Sequence, residues 1–377
     1  MKGLAITNIG IEKVASKEIK ELIKAKTSVK KGAVSFDLKE LSDLCVLCYK
    51  GQSVSRIILL LKQFKIKKIE DLKQLEKIDF TEYLDSKQSF ASRCMKIGGF
   101  SSREIEEEVG AIIIDSIKKK TKRKQKVNLE NPDVTFFSYV VDNEVYFGID
   151  FASVDLSKRH YKIFGHQRSL KGTIAYSLLR LANYDNKKIL VDTFCNDGSI
   201  PIEASLFASG FPVNYYDKDR FAFLKLKQFK GLDFDKFFEK YDKVKKIKEK
   251  IYAFDSEQRF VKTAEKNAKI AGVLKNINFA RIEVEWLDTK FKKSEVDLII
   301  TNPPRVSKQV KKQDFIKLFK ELFYQADYVL KEKGKIAVIA KDMELLKTEA
   351  DKYNFKAIEE LDVNQGKDIL KIAIFMR

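Results

Sequence analysis

Cysteine is scarce: four in 377 residues, at positions 45, 48, 94 and 195. That is too few for the disulfide framework of a small secreted fold. Histidine is scarcer, with His160 and His166 alone, so no His/Cys spacing marks a metal site, and none is expected. No aliphatic run outlasts residues 57–61, far short of the roughly 20 apolar residues that cross a bilayer. The opening residues mix Ile6, Ile9, Ile11 and Val14 with charge and lack the apolar core of a secretion signal. The chain therefore reads as soluble and cytoplasmic, with no membrane partner.

Acid is also in deficit. Seventy-three Lys and Arg against 54 Asp and Glu leave a formal charge of +19. An excess of that size favours a polyanion, because each cation that neutralises a phosphate releases condensed counterions. A lysine-rich surface with no partner would carry the same charge. The excess is uneven: the first 156 residues hold about +5 and the rest about +14. Hydrophobic residues at 44% exclude a disordered chain and leave room for two or three domains with cores of their own.

The rhythm of the sequence changes twice. Residues 4–7, 33–36 and 55–61 read as strands, with amphipathic helices over 11–23 and 41–49, the pattern of a small α+β unit. From about 64 to 156, helices near 69–75 and 102–118 precede strands at 134–141 and 145–151, joined by the hairpin signal Asp142-Asn143-Glu144. The basic block Lys118-Lys119-Lys120-Thr121-Lys122-Arg123-Lys124 lies between helix and hairpin. From about 187, near-continuous apolar strands at 188–192, 251–255, 277–282, 297–302 and 335–340 alternate with helices, which predicts a doubly wound parallel sheet. Three of those strands end on Asp192, Asp255 and Asn302, at the carboxyl ends where such sheets bind ligands.

The first of these strands leads into Asp192-Thr193-Phe194-Cys195-Asn196-Asp197-Gly198-Ser199-Ile200-Pro201-Ile202-Glu203-Ala204. Gly198 lets a ligand approach the backbone and the following helix offers unpaired N–H groups. With a single glycine and no Walker lysine, Asp192 suits a cation or an amine better than a pyrophosphate; an ordinary βα turn would use the same residues. Asp255 precedes a helix predicted over 257–272, where an acid either accepts from ribose hydroxyls or caps the helix. Glu283, after the third strand, is placed to accept from an adenine amine. Asn302-Pro303-Pro304 uses two of only five prolines at the end of a buried strand. The prolines fix the backbone, so the Asn302 amide and the Pro303 carbonyl converge as two acceptors for an exocyclic NH₂. Cys45 and Cys48 lie three apart in an apolar helix, where packing accounts for them.

These segments resemble the THUMP-domain class I methyltransferases that modify the N2 amine of guanine in RNA. Asp192 through Ala204 is similar to that family's Asp-Pro-x-Cys-Gly-Ser-Gly-Thr-x-x-Ile-Glu-Ala loop, and Asn302-Pro303-Pro304 to its Asn-Pro-Pro-Tyr motif. Leu156-Ser157-Lys158-Arg159-His160-Tyr161, with Ser169-Leu170-Lys171, resembles the lead-in to the catalytic domain. Arg220-Phe221-Ala222-Phe223 and the basic helical stretch up to Lys250 resemble the insertion of the N2-guanine branch. Asn131-Pro132-Asp133 and Tyr146-Phe147-Gly148-Ile149-Asp150 resemble the end of a THUMP domain.

The resemblance implies a Rossmann-like class I methyltransferase domain with a seven-stranded, mostly parallel sheet over 157–377. A ferredoxin-like unit over 1–62 and a THUMP RNA-binding domain over 63–156 would precede it. It implies S-adenosylmethionine as cofactor, with Asp192, Phe194, Asn196 and Gly198 beside its methionine part, Asp255 and Ser256 at its ribose, and Glu283 near its adenine. Asn302, Pro303, Pro304 and Arg305 would hold the target base. The implied partner is tRNA, its 3′ end bound by the THUMP domain and guanosine 6 of its acceptor stem modified by a monomeric enzyme; ribosomal RNA is the alternative substrate, and a degenerate RNA-binding protein the alternative function. Adenine-N6 methylation of DNA shares the Asn-Pro-Pro motif but not the THUMP-like half. The chain departs from the family at Thr193, where a proline stands, at Asn196-Asp197-Gly198-Ser199 for Gly-Ser-Gly-Thr, and at Arg305, where an aromatic stands. The Arg305 guanidinium plane can itself stack on a base.

Overall fold

The computed structural model describes residues 1–165, 169–248, 250–304, 312–341 and 343–377. The chain divides into two compact units. One comprises 1–7, 15–156 and 216–241; the other comprises 8–14, 157–215 and 242–377.

The first unit is built on one eight-stranded sheet in the order β2-β3-β1-β4-β8-β7-β5-β6. Its strands are β1 (Lys2–Thr7), β2 (Thr27–Lys30), β3 (Ala33–Asp37), β4 (Val54–Lys65), β5 (Ser89–Ile97), β6 (Lys126–Val127), β7 (Val134–Val141) and β8 (Glu144–Asp150). The expected boundary at residue 62 falls inside β4, a twelve-residue strand that pairs with β1 on one side and β8 on the other. The β7–β8 hairpin turns through Asp142 and Asn143 at φ +47° and +66°, the left-handed pair that matches the twist of its strands. Gly148 of β8 has no alternative here, because a Cβ would lie 2.0 Å from the Leu59 carbonyl oxygen. β2 and β5 were not expected from the sequence. β5 carries Ser89, Ser92, Arg93 and Lys96 among its apolar residues and shows too little alternation to read as a strand.

Residues 216–241 belong to this unit although they lie between two segments of the other. Phe221 and Phe223 stack at 4.8 Å, Tyr49 meets Phe238 at 4.9 Å, and Phe229 packs edge-on to Phe151. The stretch named from sequence as a basic helical insertion is therefore held by its aromatic residues. Only Phe234–Tyr241 within it is α-helical.

The second unit holds a seven-stranded sheet in the order β11-β10-β9-β12-β13-β15-β14. These strands are β9 (Leu190–Asp192), β10 (Ile251–Asp255), β11 (Ile277–Arg281), β12 (Val296–Thr301), β13 (Leu330–Ala340), β14 (Lys356–Gln365) and β15 (Asp368–Met376). β9 to β13 run parallel, and β15 alone is reversed, pairing antiparallel with β13 on one side and β14 on the other, the mostly parallel sheet the sequence implied. Alternate residues face opposite layers. Leu190, Leu298, Ile300, Ala337 and Ile339 pack with the helices Gly172–Leu181, Ser199–Ser209 and Gln258–Ile270. Val191, Ile299, Ile336 and Val338 pack with Lys312–Val329 and Met343–Asp351. Burial on both faces is why these strands read as unbroken apolar runs. From β9 the chain winds outward to β10 and β11 on one side, and β12 and β13 lie on the other. The switch point falls between β9 and β12, at Asp192 and Asn302.

Candidate active site

Asp192, at the end of β9, is fully buried and accepts hydrogen bonds from Thr301 Oγ1 at 2.7 Å and the Phe194 N–H at 3.2 Å. Burial pushes its carboxyl up to about 7, helped by the nearby charges of Asp255 and Asp197 and opposed by those two hydrogen bonds. Thr301 thus joins the two strands at the switch point, and its Oγ1 also accepts from the Phe194 N–H at 3.1 Å. Sequence reasoning passed over Thr301; its only signal was a hydroxyl directly before Asn302 on a strand otherwise apolar after Asp297.

Beyond Asp192 the chain makes a tight turn. Gly198, at φ +82°, opens the helix Ser199–Ser209; at that φ a side chain is strained, and a Cβ would lie 3.0 Å from that of Ala264. Asp197 accepts from its neighbour's hydroxyl, Ser199 Oγ, at 2.8 Å, is bonded by Ser169, and has the Lys162 ammonium 3.3 Å away. The amide of Asn267, fully buried, donates to Asp197 O and Phe164 O at 2.9 Å each and accepts from the Phe164 N–H at 3.2 Å. Behind the loop, the guanidinium of Arg159 and the hydroxyl of Tyr161 both bind the Glu203 carboxylate, at 2.8 and 2.7 Å, with both charged side chains wholly buried. These residues of the lead-in segment and of the Ile-Glu-Ala end of the loop motif are therefore one ion-paired network, which spacing alone did not reveal.

Asp255 closes β10. Its two carboxylate oxygens accept from the backbone N–H groups of Asn196 and Glu257, each at 3.1 Å, so it binds the first loop as well as its own. Asn196 is a second junction: its Nδ2 donates to Phe194 O at 2.7 Å and to Asn302 O at 3.3 Å. One recess is lined by Leu170, Asp192, Phe194, Cys195, Asn196, Asp197, Ser199, Ile200 and Asn302. Asn302 and Pro303 are buried and Pro304 half-buried. The structure thus gathers Asp192, Phe194, Asn196 and Asn302 in one place, with Asp255 hydrogen-bonded to it. Ser256 and Glu283 are exposed, at the ends of β10 and β11, and line no part of the recess. Arg305 lies outside the described residues.

The donor set fits a cationic methyl donor. Asp192 and Asp197 make the recess acceptor-rich, Asp255 is bonded to its Asn196, and among the described residues Asn196 Oδ1 is a buried acceptor with no hydrogen-bond partner.

In the first unit, the basic block forms the last turn and C-cap of the helix Ser102–Thr121, with Lys122 in the left-handed region. All six of its cations are exposed. Lys120 pairs with Asp79, and the other five have no ion pair among the described residues. A groove of about 420 Å³ runs beside them, lined by Lys77, Asp79, Phe80, Lys119 and Lys120 among others.

The sequence profile of the RMKL-like methyltransferase domain matches residues 159–371, and that of the THUMP domain matches 67–150. The chain belongs to the THUMP-bearing RMKL-like methyltransferase family. A relative named tRNA (guanine(6)-N2)-methyltransferase, from Methanocaldococcus jannaschii, is 31% identical over 95% of both chains. A ribosomal RNA large subunit methyltransferase K/L from Buchnera aphidicola is 26% identical over 84% of this chain, but only 47% of its own length is covered. Among solved structures, TrmN from Thermus thermophilus superposes with a TM-score of 0.73 at 21% identity, covering all of this chain and 99% of the other. This methyltransferase therefore has the class I α/β fold joined to a THUMP domain, and its cofactor is S-adenosylmethionine.

Proposed function

We propose that this methyltransferase modifies the exocyclic N2 of a guanosine in tRNA, at position 6 of the acceptor stem. The observation that carries the reading is the meeting of an acid-lined recess with the Asn302-Pro303-Pro304 strand end at the switch point of the sheet. The specific substrate is the one named for the archaeal relative. The cofactor supplies an electrophilic methyl group when bound. Asp192, Phe194, Asn196 and Gly198 would hold its amino-acid end and Asp255 its ribose, with Ser256 and Glu283 towards the adenine.

The remaining chemistry belongs to the target base. A guanine amine is a weak nucleophile, because its lone pair is delocalised into the ring. The Asn302 amide oxygen and the Pro303 carbonyl accept its two hydrogens and favour a pyramidal nitrogen, with Pro304 keeping that backbone rigid. The base must leave its stack to reach them, and Arg305 supplies a plane on which it rests. Residues 63–156 bind the tRNA 3′ end through the basic block, 1–62 support them, and 157–377 carry catalysis in a cytoplasmic monomer.

The test is to incubate the purified chain with tRNA, a ribosomal RNA fragment or duplex DNA and methyl-labelled cofactor, then identify the modified nucleosides by mass spectrometry. N2-methylguanosine at tRNA position 6 is expected. Label on ribosomal RNA alone, on adenine, or nowhere would overturn the assignment.

A further inference from the structure

Asn196 stands in the left-handed region, at φ +49°, where the resembling family has glycine. Its backbone N–H goes to Asp255, and both hydrogens of its side-chain amide are spent on the carbonyls of Phe194 and Asn302. The orientation of the amide follows, since reversing it would aim one oxygen at two others. What remains is Oδ1, on a residue only 4% exposed, with no hydrogen-bond partner among the described residues. A buried acceptor left unpaired is costly enough that native proteins rarely keep one without a use for it.

The surroundings say what kind of donor belongs there. The recess that Asn196 lines is also lined by Asp192, Asp197 and Asn302, and Asp255 is bonded to the Asn196 N–H. Ser199 spends its hydroxyl on Asp197. Asp197 already has the Lys162 ammonium 3.3 Å away, but the lining remains rich in acceptors, so it suits a donor that carries positive charge and several N–H bonds.

We infer that Asn196 Oδ1 accepts a hydrogen bond from a protonated primary amine of the ligand, the α-ammonium of S-adenosylmethionine, while its Nδ2 holds the backbone of Asn302. One side chain then touches both the methyl donor and the motif that presents the methyl acceptor, a link that a glycine at this position could not make. The inference rests on the cofactor reading above and adds to it the group that is recognised and the residue that recognises it.

Calorimetry on the full chain tests this with S-adenosylhomocysteine and its analogue lacking the α-amino group. Wild type binds the amine-bearing ligand more tightly. Asn196→Gly, which the left-handed backbone accepts without strain, weakens S-adenosylhomocysteine about tenfold, the expectation for one hydrogen bond to a charged group, and leaves the analogue within about twofold. Asn196→Asp keeps an acceptor, and so keeps the preference for the amine, while losing both donations to the carbonyls. An equal loss on the two ligands by the glycine variant, no loss on either, or loss of the preference in the aspartate variant would each overturn the inference alone. Failure of wild type to bind S-adenosylhomocysteine would overturn the cofactor reading itself.

Discussion

Two charged regions, one in each unit, are constructed in opposite ways. Around Asn196 the polar groups are buried and nearly every one is fixed by a neighbour. Asp192 is held by Thr301 and Phe194, Asp255 by Asn196 and Glu257, and Asp197 by Ser199 and Lys162. At the end of Ser102–Thr121 the charges stand in water on long stems, and of the six only Lys120 has an ion pair among the described residues. A reacting atom must be placed to a fraction of an ångström, which demands preorganised dipoles. A phosphate backbone needs only local positive potential, which mobile lysines supply at little cost. Substitutions in the two regions should therefore fail in different ways.

The sharpest contrast is between their ion pairs. Arg159→Ala leaves Glu203 buried without its cation and should destabilise the fold by about 3–5 kcal/mol. Lys120→Ala, which removes the exposed end of the pair and leaves the Asp79 hydrogen bonds to Thr81 in place, should cost less than about 1 kcal/mol. Chemical denaturation of both variants decides it, and equal losses would erase the distinction.

Asn302→Ala should reduce methyl transfer by about 10²–10³-fold, as loss of one preorganised polar group does, with RNA affinity within about twofold of wild type. Single-turnover assays beside filter binding separate the two, and wild-type turnover would remove Asn302 from the chemistry. Replacing Lys118, Lys119, Lys122, Arg123 and Lys124 by alanine should do the reverse. RNA affinity should fall about 10–100-fold near physiological salt, and the salt slope should flatten by roughly one for each phosphate left without its cation, with cofactor binding unchanged. An unaltered slope would mean that the block does not meet the backbone.

The smallest expected effect is a pH dependence. With its carboxyl pushed up to about 7, Asp192 binds a proton in the folded chain between its ordinary value near 4 and about 7, where the unfolded chain does not. Its contribution to stability therefore declines as pH rises through that window. A cationic ligand favours the ionised carboxylate, so cofactor affinity should rise by about tenfold from pH 6 to pH 8, with a proton released on binding. Titration calorimetry in buffers of different ionisation enthalpy measures both, and Asp192→Asn should flatten the profile.

Much of the second unit was legible in the sequence because parallel strands covered on both faces cannot hide their composition. Residues 251–255, 277–281 and 296–301 appear almost where periodicity placed them, and Asp192, Asp255 and Asn302 fall at three strand ends beside the switch point. The C-terminal hairpin was harder to see. β14 is an edge strand carrying Glu359, Glu360 and Asp362, the charge that protects an edge and also disguises it. Thr301, Asn267 and the Arg159–Glu203 pair escaped notice because their meaning lies in partners about 40 to 110 residues away, and a hydroxyl, an amide or an ion pair has no period. Glu283 and Ser256 were placed by analogy with a ligand, and among the described residues no hydrogen bond draws either side chain towards the recess.

The aromatic stretch at 216–241 has a practical corollary. Its phenylalanines find their neighbours on Tyr49 and Phe151, so a truncated chain starting at residue 157 would synthesise a greasy plug with nothing to fill. Such a fragment should precipitate or seek chaperones even with its seven-stranded sheet intact. The chain therefore takes 216–241 out of the run that builds the seven-stranded sheet and places it with the eight-stranded one.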